Sequence, residues 1–334
     1  MIVLWVVVGL IAAGLLFQLA GDWLDAWRYP APGVRVEVPG GAKLHLYSRG
    51  DTTNPTVVFE AGISGSCLSW ATVQPLAAEF ARAVSYDRAG LGWSGGRLTP
   101  RIVPNMVAEL AAALDAAKVA TPYVLVGHSF GGLLVQAFAH TYPDRVAAVV
   151  LVDPVTQTGW ANASELQMRR LQTGAHLSRR GALLARFGVV RMALSLLVLG
   201  GTRIPKLLAR ASAGQGNSVV ERLIQEVRKL PPEAQPIVGA HWSKARSFTA
   251  MAAHLECLPE SARLALGMPM PANIPLVVLS AATATEAELA EREAWVAANA
   301  NGRHIKVDGT GHWLQLERPE LVAGVIRENL FRVR

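Results

Sequence analysis

The chain opens on a stretch with no polar rhythm: Ile2 to Ala20, IVLWVVVGLIAAGLLFQLA, runs nineteen positions without a charge and with only Gln18 polar. At about 1.5 Å per residue such a helix matches the roughly 30 Å hydrocarbon core of a bilayer, so a spanning helix is expected. Tyr29-Pro-Ala-Pro-Gly33 then breaks the helix as a stiff linker. Val34 to Val38 alternates Val-Arg-Val-Glu-Val, and Lys43 to Arg49 alternates again after Pro39-Gly40-Gly41, which predicts a hairpin. From Thr56 the texture changes to short apolar runs at 56–59, 83–86, 123–126, 147–152 and 274–279. Runs this short and β-branched, without alternation, suit strands covered on both faces of a parallel sheet, and His304 to Val307 supplies a last one. Helices are expected at 70–80, 103–116, 130–140, 286–299 and 319–331. Strand and helix alternate, which predicts an α/β fold with a mostly parallel sheet. From about Thr156 to Met270 the alternation is suspended for a helical segment inserted after the sixth strand. The expected organisation is a membrane anchor over 1–22, a linker over 23–33, a core over 34–155, the helical insertion over 156–270, and the rest of the core over 271–334.

Composition sharpens this in two places. Of the 334 residues 51% are apolar and 17% charged, which excludes disorder and leaves more apolar material than a soluble core needs. No Lys or Arg precedes the first apolar run and Gln18-Leu-Ala20 spoils a small-x-small cleavage site, so an uncleaved single-pass anchor is expected, with secretion after signal cleavage as the alternative. Arg28 and Arg35 on the far flank are diluted by Asp22 and Asp25, and sidedness stays open. The net charge of +7 is concentrated between Gln157 and Glu260, where fourteen Lys or Arg face six Glu; the remainder holds eighteen against nineteen. The same segment contains the apolar run Met192 to Leu199, a combination that fits contact with anionic lipid headgroups or an acidic substrate, and equally fits solvated helix faces. Nucleic acid is not an expected partner, because no recognition motif accompanies the charge.

Several chemistries drop out. Cys67 and Cys257 lie too far apart in sequence for a CxxC motif and too few for a disulfide framework, and neither HExxH nor GxxxxGK[ST] occurs, so no metal and no cofactor are expected. Gly90-Leu-Gly92-Trp-Ser-Gly95 spells GxGxxG, but Gly96, Pro100 and Pro104 leave no helix start to hold a pyrophosphate.

What remains is nucleophilic. Gly127-His-Ser129-Phe-Gly131 follows the 123–126 strand directly and precedes an apolar helix. That is GxSxG in its strand, sharp turn, helix setting, with Ser129 as candidate nucleophile. An oxyanion needs two backbone N–H donors: Phe130, next after the nucleophile, and Ile63, in the Glu60-Ala-Gly62-Ile63-Ser-Gly65 loop after the third strand. Of the histidines that follow Ser129, namely 140, 176, 241, 254, 304 and 312, only His312 stands in a loop between a last strand and a last helix, so it is the candidate base. His128 and His304 are expected to be structural.

These landmarks, together with Ser85-Tyr-Asp87-Arg88-Ala-Gly90-Leu-Gly92-Trp93-Ser94 and Leu151-Val-Asp153, stand in the order and spacing of the α/β-hydrolase superfamily, which the chain resembles from about Val34 to its end. The resemblance implies a serine hydrolase core with a helical cap between strands six and seven. In that family the acid usually follows strand seven, where this chain has Ser280-Ala-Ala-Thr-Ala-Thr285 and no carboxylate until Glu286 and Glu288. Some branches, certain haloalkane dehalogenases among them, take it from the end of strand six; Asp153 stands there, whereas Asp87 is expected to be structural. The His-Gly that relatives carry before the oxyanion donor is Ala61-Gly62 here, which removes a side chain and leaves the backbone donor. A Ser nucleophile argues against dehalogenase and epoxide hydrolase chemistry, which this superfamily runs through an Asp. The expected activity is cleavage of a carboxylic ester, with a lipophilic acyl substrate, through an acyl-enzyme. Amidase or aminopeptidase, C–C hydrolase and perhydrolase chemistry would use the same residues, and a non-catalytic binding protein with a degenerate site is the rival outside enzymes.

Overall fold

The computed structural model describes residues 1–51, 55–198 and 227–332. Leu199, Arg203, Lys206, Arg210, Glu221, Arg222 and Glu226, counted above in the basic segment and its apolar run, lie outside the described residues.

The hairpin forms from β1 (Val34–Val38) and β2 (Ala42–Arg49), paired antiparallel with Val36 opposite Leu44. The uninterrupted apolar runs become β3 (Thr56–Glu60), β4 (Ala83–Asp87), β5 (Tyr123–His128), β6 (Val146–Val152), β7 (Leu276–Ala281) and β8 (Arg303–Val307). They lie in the order β1-β2-β4-β3-β5-β6-β7-β8, parallel from β4 to β8, with Gly95–Gly96 adding a short pairing to β2. Every residue of β3, β4, β5 and β7 is buried, the reason those runs lack polar alternation. Successive residues still serve opposite faces. Val58, Leu125 and Leu151 pack with α3 (Val103–Ala116) and α4 (Gly131–Thr141) on one face. Val57, Phe59, Val124 and Val150 pack with α2 (Val73–Ala78) and α12 (Pro319–Arg332) on the other.

The segment between β6 and β7 is helical where described: α5 (Gln157–Ala161), α6 (Glu165–Arg186), α7 (Val189–Val198), α8 (Ala234–Trp242) and α9 (Ala245–Leu266). α10 (Glu286–Ala297) and α11 (Leu314–Glu317) are the remaining α-helices that follow β1 among the described residues. The helix expected over 70–80 is a 3-10 turn at Cys67–Trp70 followed by the six residues of α2. Pro75 lacks a donor N–H and is tolerated only in a first turn, so α2 starts late enough to place it there.

α1 (Ile2–Arg28) is long and apolar enough to cross a membrane, and its large side chains from Met1 to Leu10 are exposed. It continues past the apolar run because Gln18, Asp22 and Asp25, spaced i, i+4, i+7, share one face, and that face meets Arg191 of α7. The guanidinium donates to Gln18 Oε1 at 3.3 Å, Asp22 Oδ1 at 2.7 Å and Asp25 Oδ2 at 2.7 Å. The linker is fastened too: Trp93 Nε1 donates to Tyr29 O at 2.9 Å, and His45 Nε2 to Pro32 O.

Candidate active site

β3 and β5 are neighbours, yet the chain leaves β3 toward β4 and reaches β5 by crossing back, so a crevice opens above their carboxyl ends. Glu60 and Gly127 pair at those ends, and the two loops that follow, 61–65 and 128–131, therefore meet. Gly131 must be glycine: a Cβ there would lie 2.6 Å from Glu60 O and 2.7 Å from Ala61 O. At Gly127 a Cβ would strike Gly131 O at 2.7 Å. This close passage leaves Ser129 in the left-handed region, φ +53°, costing of order 1–3 kcal/mol, held by Ser129 N–H donating to Val152 O at 3.1 Å and by Ser129 O accepting from Gly132 and Val155.

Ser129 Oγ lies 2.9 Å from His312 Nε2, and His312 Nδ1 lies 2.6 Å from Asp153 Oδ2. Asp153 too has positive φ, +43°, fixed by its N–H donating to Leu279 O at 2.8 Å. Its second oxygen, Oδ1, accepts from Arg292 Nη1 at 2.8 Å and from Ala281 N at 3.1 Å. Burial pushes this carboxyl up, but the hydrogen bond from His312 and the Arg292 charge outweigh it, and the group is held below the usual carboxylate range. An ionised Asp153 fixes the imidazole with its proton on Nδ1 and its lone pair on Nε2 toward the serine. Glu288 instead closes the capping box of α10 with Thr285, and Glu286 sits in that helix's exposed first turn.

Arg292 is 2% exposed and also donates to Ser280 Oγ at 2.9 Å and to Pro154 O, so β7 and the turn after β6 are joined through it. Nothing in the sequence singled it out; its signal was the one cation of an acidic helix, set between Leu289 and Val296 on the inward side of α10. A second buried cation organises the other loop. Arg88 donates to Glu60 Oε1, to Ala61 O at 2.7 Å and to Gly62 O, while Tyr86 Oη donates to Glu60 Oε2. A trans peptide points its N–H opposite its C=O, so holding Gly62 O toward Arg88 turns the Ile63 N–H away from it. The Arg88 guanidinium also lies 5.4 Å from the Phe130 ring centroid. A Cβ at Gly62 would fall 3.5 Å from Ser129 Cβ, so both candidate donor loops flank the serine.

His128 stacks on His312 with centroids 4.8 Å apart, and its Nε2 donates to His312 O at 2.8 Å. Burial, then the neighbouring His312, pushes its pKa down to about 3, so it is a neutral brace. His304 is held by Ser280 Oγ at 2.8 Å within β8, and Asp87 by His45 Nδ1, the Cys67 N–H and the Trp93 N–H. His45, Cys67 and Asp87 stand close enough to be metal ligands, but these hydrogen bonds already occupy the His nitrogens and both Asp oxygens. The glycine-rich 90–95 segment forms the turn whose Trp93 N–H binds Asp87.

Ser129 and Asp153, both buried, are joined by hydrogen bonds through the more exposed His312 at the carboxyl ends of a parallel sheet, which is a hydrolase architecture. Residues 57–325 match the alpha/beta hydrolase family, and the chain belongs to it. It is 35% identical over 117 residues to the protein YqjL of Bacillus subtilis (strain 168), covering 34% of this chain and 45% of that one. To an AB hydrolase superfamily protein of Gibberella zeae it is 31% identical over 132 residues, 38% of this chain and 41% of the other. The match thus spans less than half the length of either relative. Among solved structures, haloalkane dehalogenase DbeA from Bradyrhizobium elkani superposes with a TM-score of 0.67 at 17% identity, covering 90% of this chain and 97% of that one. A thermophilic esterase from Thermogutta terrifontis does so with 0.59 at 22%, covering 90% and 99%. These likenesses share the fold.

Proposed function

We propose that the chain is a membrane-anchored serine hydrolase that cleaves carboxylic esters through an acyl-enzyme. The observation that carries this is the unbroken hydrogen-bond series from Ser129 Oγ through His312 to Asp153. His312 Nε2 takes the hydroxyl proton as Oγ attacks the carbonyl carbon; the N–H groups of Phe130 and Ile63 receive the oxyanion; His312 then gives the proton to the leaving alkoxide. Water, deprotonated by the same nitrogen, attacks the acyl carbon, and Ser129 leaves with its proton restored. Asp153, ionised throughout, stabilises the imidazolium.

A lipophilic acyl group suits the surroundings. Leu68, Leu230, Val238 and Leu316 cluster with Trp313 beside the base, so the helical segment and the core share an apolar wall there. α1 reads as the anchor because Trp5, Trp23 and Trp27 are exposed near its ends. The eighteen helical rises from Trp5 to Trp23 span about 27 Å, close to the hydrocarbon thickness that separates two interfacial aromatic belts.

The test is labelling with a fluorophosphonate, followed by intact mass, on the wild type and on Ser129→Ala and Asp153→Asn. Adduct formation that requires Ser129 and slows at least a hundredfold in Asp153→Asn supports the mechanism. A folded wild type that takes no label overturns it. Hydrolysis confined to short soluble esters would remove the lipophilic assignment.

A further inference from the structure

A cleft of about 530 Å³ lies where the foot of α1 meets the body, lined by Asp25, Arg35, Trp93, His241, Lys244 and Arg246 among others. Among the described residues none of its three cations forms an ion pair; Arg246 donates only to Gly92 O, at 2.6 Å, and its Nε has no partner. His241, 5% exposed, also keeps a buried Nδ1 without a partner. Asp25 offsets this field only in part, since its carboxylate is engaged by Arg191 at 2.7 Å. Counting that neighbouring knot and the buried Asp87, four cations (Arg35, Arg191, Lys244, Arg246) meet three carboxylates (Asp22, Asp25, Asp87), an excess of one positive charge. The arrangement places like charges against one another: burial and then Arg246 push the Lys244 ammonium down, and burial and then Arg35 push Arg246 down. A structure that gathers like charges and leaves donors idle is completed by an anion.

The depth says which anion. Asp25 stands five residues beyond Ala20, about 7.5 Å along the helix axis. A bilayer about 40–45 Å thick around a 30 Å core leaves roughly 5–8 Å of polar layer per leaflet. The cleft therefore sits at headgroup level, the same depth along α1 as the exposed Trp23 and Trp27.

We propose that the Arg35–Lys244–Arg246 cleft binds the phosphate of an anionic phospholipid headgroup, which seats the body on the membrane at a fixed site. The inference rests on the reading of α1 as an anchor.

To test it, the full chain is held in neutral detergent with equal phosphatidylglycerol and phosphatidylcholine, and retained lipid is counted by native mass spectrometry. The wild type is expected to keep one phosphatidylglycerol with at least tenfold preference, and Arg35→Gln/Lys244→Gln to fall to parity while labelling with fluorophosphonate at the wild-type rate. Parity in the wild type, or a preference that survives in the double variant, overturns the site. Displacement by millimolar inorganic phosphate alone would make the ligand a free ion and overturn the lipid assignment. Carbonate extraction of native membranes reports on the anchor separately: release of the chain would end that reading without affecting the lipid count.

Discussion

At the scale of residues, the candidate site depends on two arginines that touch neither the serine nor the imidazole. Arg292 holds the Asp153 oxygen that His312 does not use. Arg292→Lys keeps a charge but loses the fork that also reaches Ser280 and Pro154, so it should slow fluorophosphonate labelling about ten- to a hundredfold with an unchanged circular dichroism spectrum. Arg88→Lys should cost more, about a hundred- to a thousandfold, because it frees the Gly62 carbonyl and with it the direction of the Ile63 N–H; the stopped-flow rate of the first acylation measures this. His128 carries a prediction of opposite kind. Its folded pKa of about 3 lies below the ordinary 6.5, so the unfolded state binds the extra proton between those values and stability falls as pH is lowered through that window, by at most about 1.4 kcal/mol per pH unit. His128→Gln, which can still donate to the His312 carbonyl, should flatten that part of a urea-midpoint against pH curve; an unchanged slope would remove His128 as the cause.

At the scale of elements, the legible parts were those whose pattern is set by immediate surroundings. The inner strands announced themselves because both faces of each are covered, and α3 kept its expected bounds because Pro104 falls in its first turn, where the missing N–H costs nothing. The serine turn was legible for the same reason: its glycines answer to backbone only a few residues away. Less was readable where a distant partner decides. Asp153 was the preferred acid over Glu286 and Glu288 by its place at the end of a strand, but the sequence held no sign of what fixes it: the joining of β6 to β7 brings Ala281 and Arg292 to it, and His312 meets it from the loop after β8. The α4 packing shows how much the neighbouring layer matters to fold rather than chemistry. Phe138 is fully buried against Tyr123 and Tyr142, so Phe138→Ala should cost about 3–5 kcal/mol in urea unfolding, while the folded fraction labels at the wild-type rate.

At the scale of the whole molecule, the sequence marked the apolar run but not its attachment, because Asp22 and Asp25 find their cation more than 160 residues later at Arg191. The apolar stretch ends at Ala20 while the helix runs on to Arg28, pinned to α7 through that knot, and the following strap is tied down at Tyr29 and Pro32. On the proposed reading of α1 as an anchor, the described residues leave no free joint between bilayer and body. Hydrophobic stretches longer than the local membrane is thick accommodate by leaning, and here the lean cannot be absorbed by a slack tether. On that reading the thickness of the host membrane becomes a setting of the site: thinner lipids should tip the crevice over Ser129 as one piece with the helix, and acylation by a bilayer-dissolved fluorophosphonate should vary with lipid chain length. In Arg191→Gln, with the helix unclamped, that dependence should fade.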